Sequence, residues 1–292
     1  MPSIKKWISY IQSTSKEEYL WDSEHFQYSD WLELNSEFGS YKGKSRDIII
    51  DSAYYANTVN ITRKACKLLG EDCSYYDELY KKIKAKYISR FESDINTQSE
   101  CVVTLQFGLC SNPKKVADRL AELIHKNGNA MDTGFLGTKA ILRVLSENGY
   151  NELAYDLILR KEYPSWLYSV TKGATTIWEH WDGIKPDGEF WPADMNSYNH
   201  YAYGAVADWM YEYCAGIRPV EANPGFEEIL FKPMPTNKLE SFEASYDSVK
   251  GLIESLWKWE NGVVKYKIVT PSVATAIING KGYKLTPGTY EF

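Results

Sequence analysis

Apolar residues recur at helical spacing through roughly the first 216 positions and at alternate positions through the rest. Ile4, Trp7, Ile8 and Ile11 fall at i, i+3, i+4 and i+7, which predicts a first amphipathic helix. Residues 14–45 lose the period and carry Trp21, His25, Phe26, Tyr28, Asp30 and Trp31; long loops with such content are usually functional. A second helix is expected from about Asp47 to Leu69, stopped by Gly70. A third, with Ser74 as its cap, stripes through Tyr76, Leu79, Tyr80, Ile83 and Tyr87. A fourth lies near 98–110, and a fifth opens at Asn112-Pro113 and stripes through Val116, Leu120, Leu123 and Ile124. Others are expected at about 136–148, 151–160 and 197–215. Short connections make neighbours antiparallel hairpins.

After Arg218-Pro219 the period changes to 2. Segments 226–231, 244–246, 251–259, 263–269, 273–278 and 283–292 alternate or run β-branched, and Glu260-Asn261-Gly262 reads as a hairpin turn. The expected organisation is a helical domain over 1–219 and a small antiparallel β-sandwich over 220–292, joined near 217–225.

Composition narrows the ligand. Of 292 residues, 10 are Trp and 23 Tyr, more than a core requires, and excess Trp and Tyr suit a neutral, hydroxyl-rich ligand. A net charge of −6 argues against nucleic acid. Cys66, Cys73, Cys101, Cys110 and Cys214 form an odd set without CxxC and read as reduced, mostly buried thiols. His25, His125, His180 and His200 are scattered without metal-ligand spacing, so no metal and no cofactor is expected. No phosphate loop or GxSxG elbow occurs. With neither a signal-peptide pattern nor a bilayer-length apolar run, the expectation is a soluble cytoplasmic protein that does not engage a membrane.

The chemistry concentrates in GATTIWEHWDG, 173–183. Indole faces pack on the C–H faces of sugars, and a carboxylate between indoles is partly withdrawn from water, which suits Glu179 to proton transfer. The competing reading makes Trp178 and Trp181, three apart, two core anchors with Glu179 pointing to water.

The phrases FQYSDW (26–31), TGFLGT (133–138), YPSWLY (163–168), GATTIWEHWDG (173–183), MNSYNHYAYGAVADW (195–209), AGIRP (215–219) and ASYDS (244–248) resemble bacterial α-L-rhamnosidases of glycoside hydrolase family 78. The resemblance implies an (α/α)6 six-hairpin toroid followed by a C-terminal β-sandwich. It also implies removal of terminal α-L-rhamnose with inversion by two carboxylic acids, one activating water and one protonating the leaving oxygen. On it, Glu179 matches the general base, Trp31 lines the rhamnose pocket and His200 hydrogen-bonds sugar hydroxyls; Tyr28, Asp30, Trp178 and Trp181 complete the expected binding set.

Three departures stand out. His180 replaces an Arg usual after the Glu, and Ser29 replaces a Gly usual before Asp30. The family's general acid sits in a DERxGWxGD-like segment that this sequence lacks, and about eight helices are expected where six hairpins need twelve. The toroid is therefore expected to be incomplete and hydrolysis of natural rhamnosides weak. Should hydrolysis nonetheless be rapid, the candidate acids within the chain are Asp30, Asp132, Asp182, Asp187, Glu189 and Asp194, of which those from 187 to 194 read equally as solvated turn residues. Helices without neighbours expose apolar faces, so dimerisation or association with a missing N-terminal segment is expected. The alternative is an inactive sugar-binding or structural fragment of the same fold. A third reading, a hydrolase of unsaturated uronyl sugars, needs basic residues gathered for a carboxylate, and the motifs supply few.

Overall fold

A computed structural model describes residues 1–36 and 40–292. The chain divides into two compact units, Met1–Tyr203 and Gly204–Phe292.

The first unit is helical: α1 (Pro2–Thr14), α2 (Asp47–Leu68), α3 (Ser74–Phe91), α4 (Gln98–Gln106), α5 (Pro113–Lys126), α6 (Phe135–Glu147), α7 (Asn151–Leu159) and α8 (Trp166–Thr171). Local chemistry sets several of the ends. The Asn112 side chain accepts from the Lys115 N–H, as the Asn-Pro signal predicts. Thr97 caps α4 by accepting from the Glu100 N–H. That helix ends at Gln106, earlier than the spacing suggests, because Gly108 turns left-handed (φ +64°) and the Leu109 N–H closes back on the Thr104 carbonyl.

α3, α5 and α7 each pack on the helix before them, while α2, α4 and α6 also pack on one another. The second set forms an inner row. α4 buries seven of its nine residues, so it is enclosed rather than amphipathic. Its buried Glu100 is held by a two-pronged ion pair from Arg46, at 2.9 and 3.0 Å. Residues 15–46 form the expected long loop, of which 37–39 lie outside the described residues.

Two helical expectations change. α8 has too short a run to show a period; it is started by Ser165, whose hydroxyl accepts from the Tyr168 N–H. The helix expected over 197–215 begins only at Ala202 and runs as a 3-10, α and π succession to Cys214. Residues 197–200 spend backbone groups on the 177–179 segment instead, which removes them from a helix.

The second unit packs two four-stranded sheets. One holds β1 (Ile217–Pro219), β2 (Glu228–Phe231), β6 (Val273–Ile278) and β7 (Lys281–Leu285); the other holds β3 (Ser241–Ser248), β4 (Gly251–Glu260), β5 (Val263–Thr270) and β8 (Gly288–Glu291). Ile229, Phe231, Ala274 and Ala276 face Ile253, Trp257, Tyr266 and Ile268 in one core. All pairs are antiparallel except β2 with β6, which is parallel and was not legible from alternation. The single strand expected over 283–292 breaks at Thr286-Pro287 into β7 and β8, which join different sheets. Among the described residues no helix is long and apolar enough to cross a membrane.

Candidate active site

Glu179 and His200 sit on two segments tied side by side. The His200 N–H donates to the Ile177 carbonyl at 2.8 Å, and the Glu179 N–H donates to the Ser197 carbonyl at 2.8 Å. The Ser197 N–H in turn donates to Glu179 Oε2 at 2.9 Å. One carboxylate oxygen is thus fixed by backbone, and the half-buried side chain retains a second oxygen that can take a proton. His200 stacks with Phe135 (centroids 5.1 Å, 16°) and with Tyr201 (5.2 Å, 22°). Its Nδ1 accepts from the Ala202 N–H at 3.4 Å, which leaves the proton on Nε2 at the opposite edge. Two aromatic rings stack with the imidazole, and its Nε2 edge is the group left to donate.

Trp31 reaches the same region through α6. Its carbonyl accepts from the Phe135 N–H at 3.0 Å, and Phe135 is the residue that stacks on His200. Phe26, Tyr28 and Tyr41 surround the Trp31 ring at 6.1, 5.2 and 5.5 Å. Tyr28 itself is 66% exposed and free to meet a ligand.

Asp30 departs from the expected sugar-binding and acid roles. It is 3% exposed, and its carboxylate accepts from the N–H groups of Gly134 (3.0 Å), Leu136 (2.7 Å) and Gly137 (3.2 Å) at the start of α6. Burial raises its pKa, and the backbone donors oppose that rise. With its oxygens spent, it anchors Trp31 to the helix rather than touching a ligand. The contact also explains the two glycines of TGFLGT: a Cβ at Gly134 would lie 2.4 Å from the Trp31 carbonyl, and one at Gly137 2.8 Å from the Asp30 carboxylate. Ser29 has φ +47°, a left-handed conformation that accounts for a usual Gly there.

Trp178 and Trp181 follow the core-anchor reading. They are 6% and 4% exposed. Trp178 meets Tyr198 edge-on, while Trp181 stacks on Tyr203 at 3.8 Å and meets Trp166 edge-on. Neither offers a face to a sugar. His180 stacks on Trp191 (4.4 Å, 10°), and its Nε2 lies 2.8 Å from the Met195 carbonyl, which makes it the donor. Burial lowers its pKa, so it is a neutral strut.

A cleft of about 170 Å³ opens beside this stack, lined among others by Glu33, Tyr41, Tyr163, Trp181 and Asp182. Among the candidate acids, Asp182 lines it and accepts from Trp191 Nε1 at 3.0 Å. Asp187, Glu189 and Asp194 are exposed, the first two in a small hairpin closed by Ile184 and Phe190. Asp132 is half-buried, and burial pushes it up to about 6.

Spacing did not single out Glu33 or Asp51. Burial pushes both up to about 7. Glu33 accepts from the Ser45 N–H at 3.0 Å and from Asn35 Nδ2 at 3.1 Å; Asp51 accepts from the Ser29 hydroxyl at 3.1 Å. The only sequence signal was an acid placed next to apolar residues of the loop and of the inner helix. A carboxyl whose folded pKa is raised stabilises the fold fully below its unfolded pKa near 4, and that contribution is lost as pH rises through 6 to 7. The thermal midpoint of the helical unit is therefore expected to fall by a few degrees between pH 5 and pH 8. Asp51→Asn, which keeps an acceptor for Ser29, should shrink that difference; calorimetry at the two pH values checks it, and an unchanged difference counts against the assignment.

Two domain descriptions match the chain: the bacterial alpha-L-rhamnosidase 6 hairpin glycosidase domain over residues 1–214 and the bacterial alpha-L-rhamnosidase C-terminal domain over 216–283. An alpha-L-rhamnosidase of Formosa agariphila is 35% identical across 99% of the chain, and one of Streptomyces avermitilis 34% across 94%. The chain spans 35% and 26% of those two relatives. The crystal structure of Streptomyces avermitilis alpha-L-rhamnosidase complexed with L-rhamnose superposes with a TM-score of 0.90 at 29% identity, covering 99% of this chain and 30% of that one. The native enzyme of Aspergillus terreus gives 0.91 at 27% identity, covering 100% and 35%. A helical unit followed by a two-sheet domain agrees with these matches, and the chain belongs to the bacterial α-L-rhamnosidase family of six-hairpin glycosidases.

Proposed function

We propose that this chain supplies the general-base side of an inverting α-L-rhamnosidase site. The observation that carries the reading is the paired 177–179 and 197–200 segments, which fix the Glu179 carboxylate and the His200 edge on one element. Trp31 is joined to that element through Phe135. The second Glu179 oxygen takes a proton from a water molecule as the water oxygen bonds to the anomeric carbon. The bond to the leaving oxygen breaks, and a second carboxylic acid protonates that oxygen. His200 Nε2–H donates to a ring hydroxyl, and the indole of Trp31 covers the methyl-bearing face of the sugar. Rhamnosides with good leaving groups, such as nitrophenyl rhamnoside, demand little acid assistance and so report the base side of the site directly. Five free cysteines, four of them buried, suit a reducing compartment such as the cytoplasm.

Proton NMR during hydrolysis of nitrophenyl α-L-rhamnoside tests this. The β anomer of rhamnose should appear first. The α anomer appearing first rejects inversion, and rhamnose that binds without any release favours the sugar-binding alternative.

A further inference from the structure

A second hollow of the helical unit shares no residue with the groups used above. It holds about 280 Å³ between the 3-10 turn that closes α3, Glu92–Asp94, and the first two turns of α5. Its floor is apolar: Ile95 and Val116 are 7% and 5% exposed. Its rim is cationic and rich in amides. Lys115 and Arg119, four apart, stand on one face of α5. Lys115 is exposed and carries no ion pair among the described residues. Arg119 gives Nη1 to Glu122 at 3.0 Å and keeps Nε and Nη2. The Asn112 side-chain oxygen accepts from the Lys115 N–H at 3.1 Å, which leaves its amide N–H groups to donate. Asn96 spends its amide nitrogen on Asp94 and keeps its oxygen to accept. Glu92, the acid on the rim, is already occupied. The Ser111 hydroxyl, helped by the Ser111 and Asn112 N–H groups and the Lys115 charge, holds it below the usual carboxylate range.

We propose that this hollow binds a hexuronate, a sugar acid of one pyranose ring, at a place separate from the Glu179 site. Two cations against one acid leave surplus positive charge on a chain whose net charge is −6, and that surplus selects an anion. The planar guanidinium of Arg119 matches a carboxylate, and the Lys115 ammonium one turn away adds a second charged donor. A bare phosphate would set charged oxygens against Ile95 and Val116, whereas a pyranose ring lays C–H groups on them. The Asn112 N–H groups and the Asn96 oxygen offer donors and an acceptor, a pairing that suits ring hydroxyls because each both donates and accepts. The volume lies at the lower edge of the roughly 300–1,000 Å³ of small-molecule sites, which leaves room for one ring. None of these groups belongs to the Glu179 site, so the two sites stand or fall separately.

Calorimetric titration of the whole chain with D-glucuronate, D-glucose and inorganic phosphate at low ionic strength tests the assignment. Glucuronate should bind in the millimolar range, about tenfold more tightly than glucose, which has the ring and hydroxyls without the carboxylate. Lys115→Gln and Arg119→Gln should each weaken glucuronate about fivefold. Lys114→Gln removes the neighbouring cation, which pairs with Asp118 outside the hollow, and should leave the affinity unchanged. All three replace cations at the surface, so melting temperatures should stay within about 2 °C of native. Hydrolysis of nitrophenyl α-L-rhamnoside should keep its native rate in each, and Trp31→Ala should bind glucuronate as the native chain does. Glucuronate bound no more tightly than glucose overturns the assignment, as do equal losses in Lys114→Gln, Lys115→Gln and Arg119→Gln. Loss of glucuronate binding in Trp31→Ala overturns it too, since the ligand then sits in the rhamnose pocket. Phosphate bound as tightly as glucuronate, and weakened by the same two variants, replaces the sugar acid with a general anion.

Discussion

Replacing Glu179 with Gln is expected to lower hydrolysis of nitrophenyl α-L-rhamnoside by about 10²–10⁴-fold. The amide oxygen can still accept from the Ser197 N–H, so the paired segments and the melting temperature should change little. What is lost is the second oxygen's ability to take a proton from water. With a good leaving group, departure of the aglycone demands little acid assistance, so the deficit reports the base directly. Binding of free rhamnose, measured by calorimetry, should persist within a few fold, which separates a chemical defect from a misfolded pocket. A rate unchanged by Glu179→Gln would transfer the base role to another residue, and Asp182, three positions on and facing the cleft, is the first to examine.

Asp30→Ala should produce the largest loss of stability. The substitution leaves the Gly134, Leu136 and Gly137 N–H groups at the head of α6 without their acceptor in a buried position. An abandoned helix cap of this kind costs about 3 kcal/mol, or a fall of about 10 °C in the melting temperature of a unit of this size. Because Trp31 follows Asp30 in sequence and its carbonyl receives the Phe135 N–H, rhamnose affinity should fall together with stability. Asp30→Asn retains one acceptor and turns an amide toward N–H groups, so it should fall between native and Ala in both readouts. A melting temperature insensitive to Asp30→Ala would remove the anchor from the account.

Periodicity carried the helical unit well because its helices are long enough to display two or more turns of a stripe. It failed where the backbone bonds sideways, at 197–201, since no spacing of side chains records that Glu179 and Ser197 are partners. It also missed α8, whose six residues are too few for a period, and the parallel β2–β6 pair, since alternation marks faces and says nothing of direction. Within the site, Glu179 stood out because aromatic and acidic residues crowd its phrase, whereas Trp31 and His200 were singled out through the family resemblance. Asp30 stood in the same phrase for a different reason, and only the three N–H groups meeting it reveal that it holds the loop. Trp178 and Trp181 show that a tryptophan spacing of three fits a core anchor as well as a sugar platform. Glu33 and Asp51 gave little sign in the sequence because their raised pKa values come from burial that the loop and inner helix create together.

The small hairpin closed by Ile184 and Phe190 leaves and re-enters the chain between the two tied segments. Residues added or removed at its tip, around Asp187-Gly188, need not disturb the bonds that hold Glu179 to Ser197 and His200 to Ile177. Phe190, 61% exposed, rides on that tip's flank. The rim of the fold at this hairpin is thus free to drift in length and composition, while the carboxylate beneath it keeps its backbone partners.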